Sequence, residues 1–197
     1  TNSTGLLAVQ RKKRKRKARK TAMTDDLQLK QNIAEQFGTP CAVIDLNIVD
    51  KNIEHLQALC DNSQLANRPH IKTHKSPILA HQQLAAGAVG ITCQKLGEAE
   101  IMAEAGIKDI LIATNIIGAA RSGRLTALQS RTPIKICADN PFSLNLYADA
   151  GRAAERPVSV VIECDTGQNR AGVVTPAEAI ALAKIVQHDP WLEFGGL

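Results

Sequence analysis

The chain has 197 residues, enough for one domain with a sizeable core, and 44% of them are hydrophobic while only 3% are aromatic, so that core is aliphatic. The formal charge of +5 comes from one run: residues 11–20, "RKKRKRKARK", hold nine Lys or Arg, and without them 15 basic groups face 19 acidic ones, a net of −4. A strongly basic body is thereby excluded, and no apolar stretch reaches the length of a membrane span.

The basic run reads either as a nucleic-acid arm, which would bind phosphates by counterion release, or as a leader that takes no part in the fold. The leader reading is preferred, with residues 1–22 as a disordered basic leader and residues 23–197 as the folded domain. "GLLAV" at 5–9 is too short for a signal peptide and precedes the charges. The five cysteines, Cys41, Cys60, Cys93, Cys137 and Cys164, are odd in number and form no CxxC. They read as reduced, buried small hydrophobes in a cytoplasmic protein, not as a disulfide frame or a zinc site.

Past Met23, strand and helix signals alternate. β-rich runs are predicted at 41–46 (CAVIDL), 68–74 (RPHIKTH), 90–94 (GITCQ), 109–114 (DILIAT), 134–139 (IKICAD), 158–164 (VSVVIEC) and 191–197 (WLEFGGL). After the first run, Ile48, Ile53, Leu56 and Leu59 form the stripe of a helix with Asn47 as its N-cap. "LAAGAVGIT", "AEAGIKDIL" and "ADAGRAAERPVSV" each repeat one predicted device, a helix finished by Ala-Gly that leads into a strand. Repeated βα units with apolar strands define an α/β fold with a parallel sheet. No GxGxxG follows the first strand, which weighs against a dinucleotide-binding open sheet and favours a TIM-type (β/α)₈ barrel that is incomplete in this chain.

Two stretches carry chemistry. In "RPHIKTHK", strand alternation would put Arg68, His70, Lys72 and His74 on one face and Lys75 on the other. A lysine crowded by cations and partly desolvated is more nucleophilic, as a Schiff-base lysine must be. The bland alternative is a lysine and two histidines on a solvated loop. In "ECDTGQNRAGV", Gly167 and Gly172 bracket Arg170, whose planar fork suits an anionic oxygen; the alternative is an ordinary βα turn. Gln94 and Asn115 stand at strand ends, although Gln94 also suits an exposed loop and Asn115 a turn.

Together "TPCAVIDL", "RPHIKTHK", "GITCQKLGEAEIMAEAGIKDILIA" and "DTGQNRAGV" resemble the fold-type III pyridoxal-phosphate enzymes with alanine racemase N-terminal-type barrels, in particular the D-threonine aldolase and D-serine dehydratase group. The resemblance covers residues 36–197. It implies pyridoxal 5'-phosphate as cofactor, Lys72 as the Schiff-base lysine, and Arg170 as donor to the phenolic oxygen of the cofactor. It further implies His70, Gln94 and Asn115 around the same mouth. The implied activity is that of a lyase on D-β-hydroxy amino acids, of the D-threonine or 3-hydroxy-D-aspartate aldolase type, giving glycine and an aldehyde. D-serine dehydratase chemistry, releasing ammonia, is the alternative within the group, and a non-catalytic pyridoxal-phosphate homeostasis protein is the alternative outside it. Such enzymes carry a C-terminal β domain with a divalent-metal site. That domain is expected to be missing from this sequence, and no metal ligands are expected within it. The resemblance also implies a homodimer at full length, with neither membrane nor nucleic acid as partner.

The two readings of residues 11–20 separate by experiment. Deleting those residues is expected to leave the fold unchanged, and salt-titrated electrophoretic mobility shifts are expected to show no specific DNA complex before or after the deletion. A salt-sensitive complex that the deletion abolishes would reinstate the nucleic-acid arm.

Overall fold

The structure, a computed structural model, describes residues 26–197, so the basic leader expected at 1–22 lies outside the described residues. The described residues fall into two compact units, one ending at Leu46 and the other comprising Asn47–Leu197. The first contains helix α1 (26–37), with an exposed Lys30–Asp26 ion pair at 2.9 Å one turn apart. The helix is closed by Gly38 at φ +78°, whose N–H donates to Ala34 O at 2.9 Å.

The second unit alternates helix and strand: α2 (Leu46–Asn62), α3 (Pro77–Ala85), β1 (Ile91–Cys93), α4 (Leu96–Glu104), β2 (Ile110–Ile112), α5 (Ala119–Arg131), β3 (Ile134–Ala138), α6 (Pro141–Ala153), β4 (Val158–Ile162), α7 (Pro176–His188) and β5 (Leu192–Gly196). The five strands are parallel and stand in the order β1-β2-β3-β4-β5. Each strand pairs with the next in sequence, and right-handed crossovers then lay every connecting helix on one face. A barrel has this arrangement; a doubly wound sheet, which reverses direction at a switch point, does not. The sheet is open, since no described strand joins β5 back to β1.

Alternation sorts the side chains. Ile110, Ile112, Ile134, Ile136, Val158, Val160 and Ile162 are fully buried against the helices, where Leu125, Leu128, Leu144, Tyr147, Leu182 and Val186 complete an aliphatic core. The opposite row runs Thr92, Leu111, Lys135, Ser159, in register across four strands, and all but Thr92 are only half-buried. One face of the sheet is therefore dry and the other is partly open.

Three expectations need correction. Residues 41–45 form no strand: a strand needs a hydrogen-bonded neighbour, and these residues pair with no described strand, leaving Val43 and Ile44 exposed. Helix α2 starts at Leu46, so Asn47 lies inside its first turn and not at the cap. The stripe of α2 does not face a core either, because Ile48, Leu56 and Leu59 are exposed and Gln57 is its buried residue. Gln57 is held by its polar groups, donating to Asp61 Oδ1 at 2.8 Å and accepting from Asn67 Nδ2 at 3.1 Å.

The Ala-Gly device works at Gly87 and Gly106, both at positive φ just past α3 and α4. It fails at Gly151, which lies within α6, and Glu155 at φ +51° takes the left-handed position instead. Gly151 is there for space: a Cβ would stand 2.6 Å from Trp191 O. Helix propensity favours alanine over glycine by about 1 kcal/mol, but here the clash wins. Gly151→Ala is expected to lower stability by about 1–3 kcal/mol, the range of overpacked sites, and a stabilised variant in urea unfolding would contradict the packing described.

Candidate functional site

The stretch 68–74 is not the full strand expected. Ile71 N donates to Thr92 O at 2.9 Å and Thr92 N donates to Pro69 O at 2.8 Å, so His70 alone bridges β1 in parallel. The chain then turns over 71–74, closed by Lys75 N to Ile71 O at 2.8 Å with Lys75 at φ +51°. The start of α3 imposes the turn. Ser76 caps the helix, Pro77 occupies its first turn, and His74 Nδ1 accepts the Ser76 N–H at 3.0 Å.

Strand alternation thus ends at Ile71, and the shared face of Arg68, His70, Lys72 and His74 does not exist. Nor are the four a cluster of cations. Arg68 Nη1 donates to Asp109 Oδ1 at 2.8 Å, and Lys135 Nζ lies 2.8 Å from both oxygens of the same carboxylate, at the N-terminal ends of β2 and β3. Burial pushes the His74 imidazole down, which favours its neutral form.

The turn still separates the two lysines. Lys72 is exposed at the C-terminal end of the bridged stretch, its backbone N–H donates to His70 Nδ1 at 3.3 Å, and its amine enters no ion pair with a described residue. Lys75 Nζ is 3.4 Å from Glu98 Oε1 on α4, whose side chain is only 9% exposed. Glu98 Oε2 in turn accepts from Gln94 N at 2.8 Å, so Lys75 is taken up in the junction between β1 and α4. Gln94 and Asn115 do meet. With Lys75, Lys95, Glu98 and Arg121 they border a cleft of about 680 Å³ between the N-terminal ends of α4 and α5. Lys72, His70 and Arg170 do not line it.

At the C-terminal ends of β3 and β4 stand two carboxylates that were not singled out as site residues. Asp139 Oδ1 accepts from Asn115 Nδ2 at 2.7 Å and Asn140 Nδ2 at 2.8 Å, and Oδ2 accepts from Gly172 N at 2.9 Å. Burial alone would raise its carboxyl, but these donors outweigh burial and hold it below the usual aspartate range. Glu163 is pushed up by burial and then by the charge of Asp139, against a smaller opposing pull from Arg170. Arg170 itself is exposed in the turn 165–172, which is built by Asp165 Oδ1 accepting from Gly167 N at 2.8 Å and Gln168 N at 2.9 Å. Gly172, at φ +98°, leaves no room for a side chain, since a Cβ would stand 2.6 Å from Asp165 N. The signal for Asp139 was present in the sequence: it directly follows the run "IKICA", where a strand delivers side chains to the mouth.

The thiols divide. Cys93 and Cys137 are buried as expected, and burial pushes them up to about 12 and about 11. Cys41 and Cys164 are exposed because neither lies within a strand.

A sequentially ordered parallel sheet, helices on one face and polar groups gathered at its C-terminal end define a chain of the (β/α)-barrel class. Residues 44–197 match the family described as Alanine racemase, N-terminal domain, and the chain belongs to that family. It is 40% identical over 159 residues to a D-threonine aldolase of Arthrobacter sp, covering 81% of this chain and 42% of that protein. The crystal structure of D-threonine aldolase from Filomicrobium marinum superposes with a TM-score of 0.78 at 34% identity, over 81% of this chain and 43% of the other. D-threo-3-hydroxyaspartate dehydratase from Delftia sp. HT23 gives a TM-score of 0.72 at 35% identity, over 80% and 42%. The chain therefore spans about two-fifths of the length of the relatives it matches. The family implies pyridoxal phosphate as cofactor. Among the described residues no helix is long and apolar enough to cross a membrane.

The Arg68–Asp109–Lys135 cluster anchors the stretch that leads to Lys72. Burial would raise the Asp109 carboxyl, yet the bonds from Arg68 and Lys135 hold it below its ordinary value. A depressed carboxyl stabilises the fold above the unfolded value, near about 3.9, and that contribution is lost as pH falls through the folded value. Asp109→Asn is thus expected to be less stable than the parent at pH 6, with the gap closing below about pH 4. A gap that stays constant from pH 6 to 3 in denaturant titrations would rule out the ionised cluster.

Proposed function

We propose that the chain is the cofactor-holding portion of a pyridoxal-phosphate-dependent lyase, which cleaves D-β-hydroxy amino acids to glycine and an aldehyde. The observation that carries this reading is Lys72, an exposed primary amine outside any ion pair among the described residues. It stands on a stretch bridged to β1 in the sheet whose β2 and β3 carry the Asn115 amide and the Asp139 carboxylate past their C-terminal ends.

The residues present fit the cofactor at three points. Lys72 offers the amine that would hold its aldehyde carbon. Arg170, whose charge is felt by Glu163, offers a guanidinium to its phenolic oxygen. Asn115 Oδ1 is buried without a hydrogen-bond partner, an acceptor left for a ligand. Bound there, the cofactor supplies an electron sink for negative charge developing at the α-carbon of the substrate. His70, by accepting the Lys72 backbone N–H, fixes the turn that presents the lysine. Gln94 stands with Asn115 along the adjoining cleft and would line the substrate side.

In the aldolase reaction the β-hydroxyl loses its proton and Cα–Cβ breaks. In the dehydratase alternative Cα loses its proton, hydroxide leaves Cβ, and hydrolysis gives a keto acid and ammonia. Two of the relatives named above are aldolases and one a dehydratase, so aldolase is the first reading. We further propose that the full-length protein carries a divalent cation acting on the β-hydroxyl from a C-terminal domain. We also propose that it is a homodimer, and that its free thiols belong to the reducing cytoplasm.

Borohydride reduction in the presence of pyridoxal phosphate, followed by peptide mapping, is expected to label Lys72. Label confined to Lys75 would overturn the assignment. Arg170→Ala is expected to weaken cofactor binding about ten- to hundredfold, as for loss of a charged hydrogen bond. The full-length protein is expected to release glycine from D-threonine. Ammonia release would favour the dehydratase, and neither product from cofactor-loaded protein would favour a non-catalytic cofactor-holding role.

A further inference from the structure

The carboxylate of Asp139 makes hydrogen bonds to three separate parts of the mouth. Oδ1 takes the Asn115 amide from the loop after β2 and the Asn140 amide from the N-cap of α6, while Oδ2 takes the Gly172 N–H two residues beyond Arg170. Asn140 Oδ1 is simultaneously the acceptor for Ser143 N at 2.9 Å, so its side chain is fixed from both ends.

The consequences for Asn115 and Arg170 follow from donor geometry. A carboxamide has one accepting and one donating end. With Nδ2 committed to Asp139, Asn115 must turn Oδ1 the other way, and that oxygen is the buried, unpartnered one beside the cleft. The Arg170 turn is tethered at its far end by the Gly172 N–H, and Gly172 admits no side chain that could hold the turn by packing.

We infer that Asp139 is a positioning residue for the site proposed above, orienting Asn115 and the Arg170 turn together through one carboxylate. The inference rests on that reading for the identity of the ligand, but the clamp itself is a property of the chain.

Asp139→Asn separates the charge and acceptor capacity from the size of the side chain. An amide at this position can keep an oxygen towards Asn115 and Asn140 only by turning its NH₂ at the Gly172 N–H, donor against donor. Expected results are faster hydrogen exchange at Gly172 and about tenfold weaker pyridoxal-phosphate binding. Lys72 should still be trapped by borohydride at saturating cofactor, and circular dichroism should be unchanged. Asp149→Asn, altering an exposed carboxylate paired with Arg152 on α6, serves as the control and should move none of these.

Unchanged Gly172 exchange and unchanged cofactor affinity in Asp139→Asn would overturn the inference while leaving the cofactor reading intact. Global exchange acceleration, matched by loss of the circular dichroism signal, would also overturn it by making the residue merely structural. Absence of label on Lys72 in the parent protein would instead overturn the cofactor reading, with the Gly172 exchange still deciding whether the clamp exists.

Discussion

The period-two alternation of five parallel strands is the constraint on which the rest of the molecule depends. One row of side chains is dry and aliphatic because the helices cover it, and the other is half-open. In that second row the charge has two destinations. At the N-terminal ends, Lys135 and Arg68 close on Asp109. At the C-terminal ends, Asp139 and Glu163 emerge directly after β3 and β4, and it is the Asp139 carboxylate that gathers donors. A cation placed beside Asp139 would compete with Asn115 and Gly172 for the same oxygens.

The same alternation explains what could be read in the sequence. The runs at 90–94, 109–114, 134–139, 158–164 and 191–197 become β1 to β5 because each finds a parallel neighbour in the adjacent unit of the chain. Asn115 and Gln94 were legible as strand-end residues on the same ground. The runs at 41–46 and 68–74 have comparable composition but fail for a reason outside themselves. A strand is completed by its partner, and composition carries no information about whether a partner is present.

The stretch "RPHIKTHK" shows how local signals compete. Its alternating residues suggest extension, but Ser76 and Pro77 directly after it are strong helix-start signals, and they bring the turn forward to residues 71–74. The turn removes the shared face on which the alternation argument rests, and the two lysines differ instead in their ion pairing. Lys75, itself exposed, is ion-paired with a nearly buried Glu98, whereas the Lys72 amine enters no ion pair among the described residues. Cation crowding plays no part, because Arg68 is engaged at the other end of the sheet and burial disfavours the charged form of His74.

This matters for how reactivity is distributed across the mouth. A lysine amine needs freedom to reach a ligand, so it suits a turn, while the groups that receive the ligand need fixed directions and suit a clamp. On the function proposed above, the chain divides the tasks accordingly. Lys72 donates its backbone N–H to His70, and its amine enters no ion pair among the described residues. Asn115 and the Arg170 turn are held by charge-assisted bonds to Asp139, which are shorter and stronger than neutral ones. The neighbouring Glu163 carboxyl is pushed up, first by its own burial and then by the charge of Asp139. The donors from Asn115, Asn140 and Gly172 thus converge on one carboxylate.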